Sequence, residues 1–381
     1  MHDVHALTRD LVSIPSHESE AAVGDFIADW LREHTDATVT RDDAGVDEGR
    51  GGNVLARKGD GDTTLALVGH HDVVPPDEEQ IDENGEYVIE ERDGRLYGRG
   101  TADMKGAVAA SMLAFRDSEV RSTAGSRTQS GDADPDCELV FASFVGEEVG
   151  GVGARHAIDE GFAPDYAVVG EGSTSYSAPG TTDVAVAHKG RRGSTITAHG
   201  EAAHASEVGQ GENAIYRATD AIDVVRDLDF PSTSVLGHEM QGSVAVTEIE
   251  GGSAWNVVPE RCEVTVDERT VPGERASLER VEDVAGVEWT VDQDLPPMAC
   301  GDADFADTVL AAADAAQEGS PEHVVKPHAT DAGWLAGAGT DCVICGVAEP
   351  GEAHTATESA SFAVIERCYE VYRRVAESVD G

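Results

Sequence analysis

Histidine and acidic side chains follow the apolar runs of this sequence at several points, and both are common ligands of divalent metal ions. In the stretch LVGHHDVVP, an apolar run ends in His70, His71 and Asp72. Alternate side chains of a strand point to opposite faces, so His70 and Asp72 would share a face from which His71 points away. A histidine with a carboxylate two residues later suits a metal ligand whose ring is oriented by that acid. On this stretch alone, a solvated polar strand end is an equally good interpretation.

Four further stretches carry residues of the same kind. They are Asp103 in GRGTADMKG, Glu147 and Glu148 in FVGEEVGG, Glu171 in AVVGEG, and His354 in GEAHTATE. The three glutamates, like His70, come directly after apolar runs, and a parallel sheet forms its ligand-binding crevice at the carboxyl ends of its strands. Two histidines with several carboxylates suit zinc or a similar divalent ion, with positions left open for water. In a chain this acidic, each residue taken singly also fits a surface position.

The elements that would position these residues alternate between strand and helix. Strand-like stretches such as TTLALVGHHDVV, CELVFASF and DYAVV alternate with amphipathic or small-residue helices. This alternation predicts an α/β fold over residues 1–180 and again over 291–381, with a mixed, largely parallel sheet flanked by helices. Residues 118–136 are predicted to form a polar surface loop.

The order of predicted strands and helices changes between these two parts of the chain. Residues 181–290 show the order strand, helix, strand, strand, helix, strand, with the second helix at about residues 276–284. This order is typical of a compact α+β domain of the ferredoxin-like type. We therefore expect an inserted second domain, with the first domain completed by the C-terminal part of the chain.

The charge of the chain limits its partners and its setting. With 74 acidic and 27 basic residues, the formal net charge is −47. Such a surface repels nucleic acid and anionic membranes, so we expect neither as a partner. The balance is typical of a protein that works in concentrated salt, which points to a halophile. The sequence has no signal-like N-terminal segment and no apolar stretch long enough to span a bilayer, so we expect a cytoplasmic protein.

Taken together, the motifs resemble one protein family in their order and spacing. The motifs are GHHDVVP, GRGTADMKG, GEEVGGVG, VVGEG, HKGRRG, HGEAAHAS, ENAI, NVVPE with DER, and GEAHTATE. They are similar to those of the two-zinc metallohydrolases that include succinyl-diaminopimelate desuccinylase, acetylornithine deacetylase, aminoacylase and the glutamate carboxypeptidases. The resemblance covers essentially the whole chain. It implies that the inserted domain serves as a lid and dimerisation domain, and that the protein is a homodimer.

The resemblance also implies a metal ligand set. His70 would bind one divalent ion and His354 the other, while Asp103 would bridge the two. Glu171 would complete the first site and Glu148 the second. The ions would be zinc, with cobalt as an alternative. A cis peptide bond after Asp103 is implied as well.

Three catalytic roles follow from the same resemblance. Asp72 would hold the ring of His70, and Glu147 would be the general base that activates a metal-bridging water. His204, in HGEAAHAS, would reach the reaction intermediate from the partner subunit of the dimer. His71 falls at a variable position of its motif.

The resemblance places substrate-binding residues in the inserted domain. Arg269 and Asn256 match positions that grip a substrate carboxylate, for which a guanidinium fork is well suited. Arg191 and Arg192 of HKGRRG make this motif more similar to that of the desuccinylases than to that of the deacetylases. Gly333 of HATDAGWLAG, in contrast, stands where desuccinylases carry an arginine and is closer to the deacetylases. The choice between these substrates stays open.

The implied function is a metal-dependent amidohydrolase that cleaves the amide of an N-acyl amino acid. A carboxypeptidase or dipeptidase of the same family is the alternative. A nucleotide-binding protein is disfavoured, because the glycine-rich stretch GGVGARHA has His156 where the phosphate-loop pattern needs glycine. A catalytically inactive relative is also disfavoured, because every residue needed for metal binding and proton transfer is present.

Overall fold

The structure is a computed structural model that describes residues 2–119 and 137–378. The predicted polar loop over residues 118–136 lies outside the described residues except for its first two positions. The α-helices of the described residues are α1 (His2–Ser13), α2 (Ala21–His34), α3 (Gly106–Asp117), α4 (Val152–Asp159), α5 (Ala214–Arg226), α6 (Ala303–Ala315), α7 (Asp331–Gly337) and α8 (Phe362–Ala376). The strands are β1 (Thr38–Arg41), β2 (Val54–Lys58), β3 (Thr63–His70), β4 (Glu90–Arg92), β5 (Arg95–Tyr97), β6 (Cys137–Phe144), β7 (Tyr166–Val169), β8 (Val184–His188), β9 (Gly190–His199), β10 (Ala203–His204), β11 (Ser232–Val235), β12 (His238–Gln241), β13 (Ser243–Gly251), β14 (Val257–Val258), β15 (Arg261–Thr270), β16 (Val287–Leu295), β17 (Met298–Ala299), β18 (His323–Lys326), β19 (Asp341–Ile344) and β20 (Ser359–Ser361).

The described residues divide into two compact units. The small unit consists of His188–Met298 and Pro327–Ala329, and the large unit of the remaining described residues. The boundaries therefore fall several residues after the positions 180 and 290 given by the sequence patterns. The reason is that β8 and β17 are strands of the central sheet of the large unit, in which they lie side by side.

The large unit is built on a mixed sheet whose centre is parallel. The strand order is β1-β2-β6-β3-β7-β19-β8-β17, and β18 pairs with β8. The neighbours β6, β3, β7 and β19 run parallel to one another, whereas β1, β2 and β8 pair antiparallel. The central strands are buried along most of their length, as expected for parallel strands covered on both faces. The expected α/β class is confirmed.

Helix α3 forms the centre of one helical layer. It consists largely of small apolar side chains, and all ten residues from Gly106 to Phe115 are buried. It packs against α1, α8, β3 and β6, where small side chains allow close approach. This packing fixes the turn that precedes α3, and that turn carries Asp103.

The small unit has the strand order of a ferredoxin-like fold. Its antiparallel sheet has the order β13-β15-β9-β16, and α5 packs against β9 and β15. Burial alternates strictly along β9 and β15, because one face of the sheet covers the core and the other does not. The predicted second helix is shorter than expected: it is a 3-10 helix, Leu278–Asp283. Its buried residues Leu278 and Val281 are three positions apart, a spacing that one short 3-10 segment satisfies.

None of the helices in residues 2–119 and 137–378 is both long enough and apolar enough to cross a bilayer.

Candidate metal centre

Three neighbouring parallel strands bring the first site residues to one edge of the central sheet. His70 is the last residue of β3, Glu147 and Glu148 follow the end of β6, and Glu171 follows the end of β7. In the register of the sheet, His70 lies opposite Phe144 of β6 and Val68 lies opposite Val169 of β7. The carboxyl ends of these strands therefore meet, and the polar side chains that follow them converge.

Asp103 lies between the two histidines. Its Oδ1 atom is 3.1 Å from Nε2 of His70, and its Oδ2 atom is 3.1 Å from Nε2 of His354. Glu171 Oε1 is 3.4 Å from Nε2 of His70, and Glu148 Oε1 is 3.0 Å from Nε2 of His354. The described residues thus form three groups of three possible ligands, each with its ligand atoms within 4.8 Å of one another. Asp103 belongs to two of them, one with His70 and Glu171 and one with His354 and Glu148, and the third consists of His70, Glu147 and Glu148.

This donor set fits a pair of divalent metal ions. Imidazole nitrogen and carboxylate oxygen are the ligands that zinc takes in sites with positions left open for water. Two divalent ions would carry four positive charges, and the three ligand carboxylates carry three negative charges. A single further anion would therefore neutralise the cluster. Such balance matters because uncompensated charge is costly where solvent is excluded.

Asp72 connects the ring of His70 with the loop that carries the two glutamates. Its Oδ1 atom lies 3.4 Å from Nδ1 of His70 and accepts a hydrogen bond from the Glu147 amide at 3.1 Å. Its Oδ2 atom accepts one from the Glu148 amide at 3.0 Å. Burial opposes the charge on Asp72, but its hydrogen bond with His70 lowers the pKa of the carboxyl below its usual value. Asp72 therefore positions one histidine and two glutamates at once.

The neighbouring His71 has different surroundings. Its Nδ1 atom lies 2.8 Å from Oγ of Ser143, and both residues are buried. Burial lowers the pKa of His71 to about 3, so the ring is neutral. The two adjacent histidines thus differ, and only His70 faces the carboxylates.

The charges of the cluster shift the pKa values of its members. Burial disfavours a protonated His70, yet hydrogen bonds with Asp103, Asp72 and Glu171 raise its pKa well above the usual range. Hydrogen bonds with Asp103 and Glu148 raise the pKa of His354 to about 10. Burial would raise the pKa of Asp103, but its hydrogen bonds with both histidines hold it well below the usual value.

Glu147 lies beside a second acid that the sequence patterns did not single out. Burial raises the pKa of Glu147 well above its usual value, and the nearby charge of Asp331 adds to this. Asp331 begins α7, is 4% exposed, and has no hydrogen-bond partner on either carboxyl oxygen within the described residues. Burial raises its own pKa to about 8. No local motif marks Asp331, because its position beside Glu147 arises from contact between segments that are distant in the sequence.

Glu358 is a further residue that sequence reasoning missed. It is buried, and its Oε1 atom accepts hydrogen bonds from the amides of Ala102 and Asp103 at 3.0 and 3.2 Å. Arg99 donates to its other oxygen at 2.6 Å. Glu358 is the last residue of the motif GEAHTATE, four residues after His354. Its place in this motif is the signal in the sequence that could have identified it as a site residue. The peptide bond between Asp103 and Met104 is cis, which confirms the feature implied by the resemblance.

The remaining predicted site residues lie in the small unit. Arg191 and Arg269, opposite each other on β9 and β15, both donate to the carboxylate of Asp267, each through Nε at 2.7 Å. Both guanidinium groups are partly exposed. Two cations on one carboxylate leave a net positive charge there.

Arg192 has a different environment from its neighbour. Its guanidinium donates to Glu268 at 2.5 Å and to the carbonyl of Ala276 at 3.0 Å, and Arg192 is buried. Its guanidinium group is thus engaged within the small unit, and its role as a substrate contact stays a prediction.

His204 and Asn256 lie on paired segments of the small unit. His204 is exposed at the end of β10, and its Nδ1 atom is 2.7 Å from Oγ of Ser206. Asn256 directly precedes β14, and its carbonyl accepts a hydrogen bond from the amide of Ala205.

Comparison with known proteins gives a family match and similar folds. The model of the peptidase family M20/M25/M40 matches residues 66–378. Aminopeptidase PepT from Bacillus cereus has a TM-score of 0.77 at 20% identity, covering 99% of this chain and 98% of that chain. A tripeptidase from Staphylococcus aureus has a TM-score of 0.71 at 20% identity, covering 98% of both chains. The YXEP protein of Bacillus subtilis, described as a dinuclear metal-binding peptidase, has a TM-score of 0.68 at 16% identity, covering 98% of this chain and 96% of that chain.

Proposed function

The chain belongs to the peptidase family M20/M25/M40, whose fold implies a hydrolytic enzyme, and we propose that it cleaves the amide bond of an N-acyl amino acid with the help of two divalent ions. The position of Asp103 supports this proposal most directly. One carboxylate faces two histidines, each of which has a further carboxylate beside it. We propose zinc as the native metal and cobalt as a substitute.

The catalytic roles would be divided between residues of the large unit and His204, which lies in the small unit. Bound ions would polarise the scissile carbonyl and lower the pKa of water. Glu147 would take a proton from the attacking water and pass it to the leaving amine, and burial raises its pKa above the usual value of a carboxyl, which is the direction that such a proton carrier needs. Asp72 holds the ring of His70 and the Glu147 amide in place. His204 donates a hydrogen bond to the developing oxyanion.

A free carboxylate on the substrate would be bound by the small unit. We assign this role to Arg269, Asn256, Arg191 and Arg192. The supporting observation is that Arg191 and Arg269 share Asp267 and together carry an excess positive charge. Arg192 supports this region through its ion pair with Glu268.

Two properties of the whole protein belong to the same proposal. We propose a homodimer in which His204 serves the site of the partner subunit, and light scattering of the purified protein tests this. Trp255, next to Asn256, is 96% exposed in the single chain, as expected for a residue that a second copy covers.

We also propose a halophilic source, on the basis of the net charge of −47, and a cytoplasmic location.

A peptidase of the same family is the second candidate. Several solved relatives are described as peptidases, among them the aminopeptidase PepT and the tripeptidase, which this chain matches over nearly its full length. The same carboxylate-binding residues would then hold the C-terminus of a short peptide.

A substrate panel separates the two candidates. The protein is loaded with zinc or cobalt in high salt and tested on succinyl-diaminopimelate, acetylornithine, other N-acyl amino acids, dipeptides, tripeptides and an acyl-glutamate. We expect the highest kcat/KM on an N-acyl amino acid, and a loss of about 10²- to 10⁴-fold in Glu147→Gln because the general base is removed. A higher kcat/KM on the peptides would favour the second candidate. Metal-independent activity, or no turnover on any compound, would refute both.

A further inference from the structure

Lys326 is a buried lysine beside the candidate metal centre. The chain has only four lysines, at positions 58, 105, 189 and 326. Lys326 is the last residue of β18 and is 5% exposed. A buried ammonium group is costly unless it is paired. Its partner therefore indicates what the lysine does.

The partner of Lys326 is Glu171. The Nζ atom of Lys326 lies 3.7 Å from Oε2 of Glu171, whereas Oε1 of the same carboxylate lies 3.4 Å from Nε2 of His70. The two oxygens of Glu171 are thus divided between two neighbours. The Glu171 side chain is 13% exposed, so the pair is formed where solvent screens it little.

We propose that Lys326 is a positioning residue that holds one oxygen of Glu171 and leaves only the other for the metal held with His70 and Asp103. The proposal rests on the two-metal function given above. A carboxylate binds a metal through one oxygen or through both. An ammonium group on Oε2 favours the first mode, and this keeps a coordination position free for water or substrate, which a catalytic site requires.

A positioning role of Lys326 and a purely structural role have different effects on metal binding. Loss of a structural ion pair loosens the site, so metal affinity and activity would fall together. Loss of Lys326 as proposed removes a cation that repels the metal and frees the second oxygen of Glu171. Metal binding is then at least as tight, while the open position is lost and the reaction slows.

The test uses the cobalt-loaded protein, because the visible bands of Co²⁺ weaken as the ion gains ligands. We expect weaker bands in Lys326→Met than in the wild type, a Kd for Co²⁺ that is equal or lower, and a kcat reduced by about 10- to 100-fold on the best substrate of the panel. Lys326→Arg retains a cation and is expected to restore the wild-type bands. In a Glu171→Gln background, Lys326→Met is expected to have little further effect.

Lys58→Met is the matched control. Lys58 is half-buried, and it donates to the carbonyl of Ser118 and lies over the ring of Phe115 rather than beside Glu171. It is expected to leave the Co²⁺ spectrum unchanged. Lys326→Gln replaces Lys326→Met if circular dichroism shows that the latter does not fold.

Three outcomes would overturn the proposal: unchanged bands in Lys326→Met, a higher Kd for Co²⁺, or the same spectral change in Lys58→Met. Failure of the two-metal premise is recognised separately, since the wild-type protein would then bind no Co²⁺ at the cluster. A peptide as the best substrate would change the proposed substrate class and would leave the role of Lys326 in place.

Discussion

At the scale of single residues, the cluster depends on one carboxylate that faces two imidazoles. Asp103 approaches His70 with one oxygen and His354 with the other, both at 3.1 Å. A bridging carboxylate of this kind links two ions, so each histidine should govern one ion and leave the other in place.

Replacement of His354 by glutamine therefore tests the division into two sites. We expect the zinc content to fall from two ions per chain to one, because His70, Asp103 and Glu171 still offer three ligand atoms. Metal analysis after dialysis measures this. His71→Gln is the control, since His71 contacts Ser143 and not the cluster, and it is expected to keep two ions. Two ions in His354→Gln, or fewer than two in His71→Gln, would contradict the assignment.

The sequence predicted the residues of the cluster better than it predicted their supports. His70, Glu147, Glu148 and Glu171 lie at or just after the ends of apolar strands, so a local pattern in the sequence points to them. Asp331, Lys326 and Glu358 act through contacts with distant segments, which no spacing in the sequence encodes. Glu358 contacts the Asp103 amide across 255 positions of the chain.

At the scale of the elements, the loop after β6 determines where the two glutamates lie. Gly151 ends this loop with a φ of 73° and caps the start of α4. A Cβ atom at Gly151 would lie 2.5 Å from Nε1 of Trp334 and 2.8 Å from Oδ1 of Asp331. The loop is thus pressed directly against α7, and only glycine fits.

Substitution of Gly151 by alanine is expected to destabilise the protein. The free energy of unfolding should fall by about 1–3 kcal/mol more than in Gly161→Ala, because both positions have positive φ but only Gly151 meets a neighbour. Chemical denaturation of the metal-free proteins gives the two values. Equal losses in the two variants would show that contact with α7 does not constrain the loop.

Prediction of the elements failed where tertiary packing decides the boundaries. Strand β8 was assigned to the inserted domain, because the change of rhythm near Pro179 does not reveal which sheet accepts the next strand. The segment at 276–284 has helical composition but forms only a 3-10 helix, since it is anchored by just Leu278 and Val281. The order of strands and helices, in contrast, follows from hydrophobic periodicity and was predicted.

At the scale of the whole molecule, the net charge of −47 opposes folding at low ionic strength. We expect the thermal unfolding midpoint to rise as KCl increases from about 0.1 to 3 M, because the Debye length shortens from about 10 Å at 0.1 M to about 3 Å at 1 M. Circular dichroism follows the midpoint, and an uncharged osmolyte of equal osmolality serves as the control. A midpoint that does not change with KCl would contradict the halophilic interpretation.

The central claim is that five side chains, from residues 70, 103, 148, 171 and 354, hold two metal ions in one cluster. Anomalous diffraction from crystals of the zinc-loaded protein tests it most directly. Two anomalous peaks are predicted, one beside His70 and Glu171, the other beside His354 and Glu148, with Asp103 between them. A cluster without anomalous density, or with peaks only at other positions, would contradict the account.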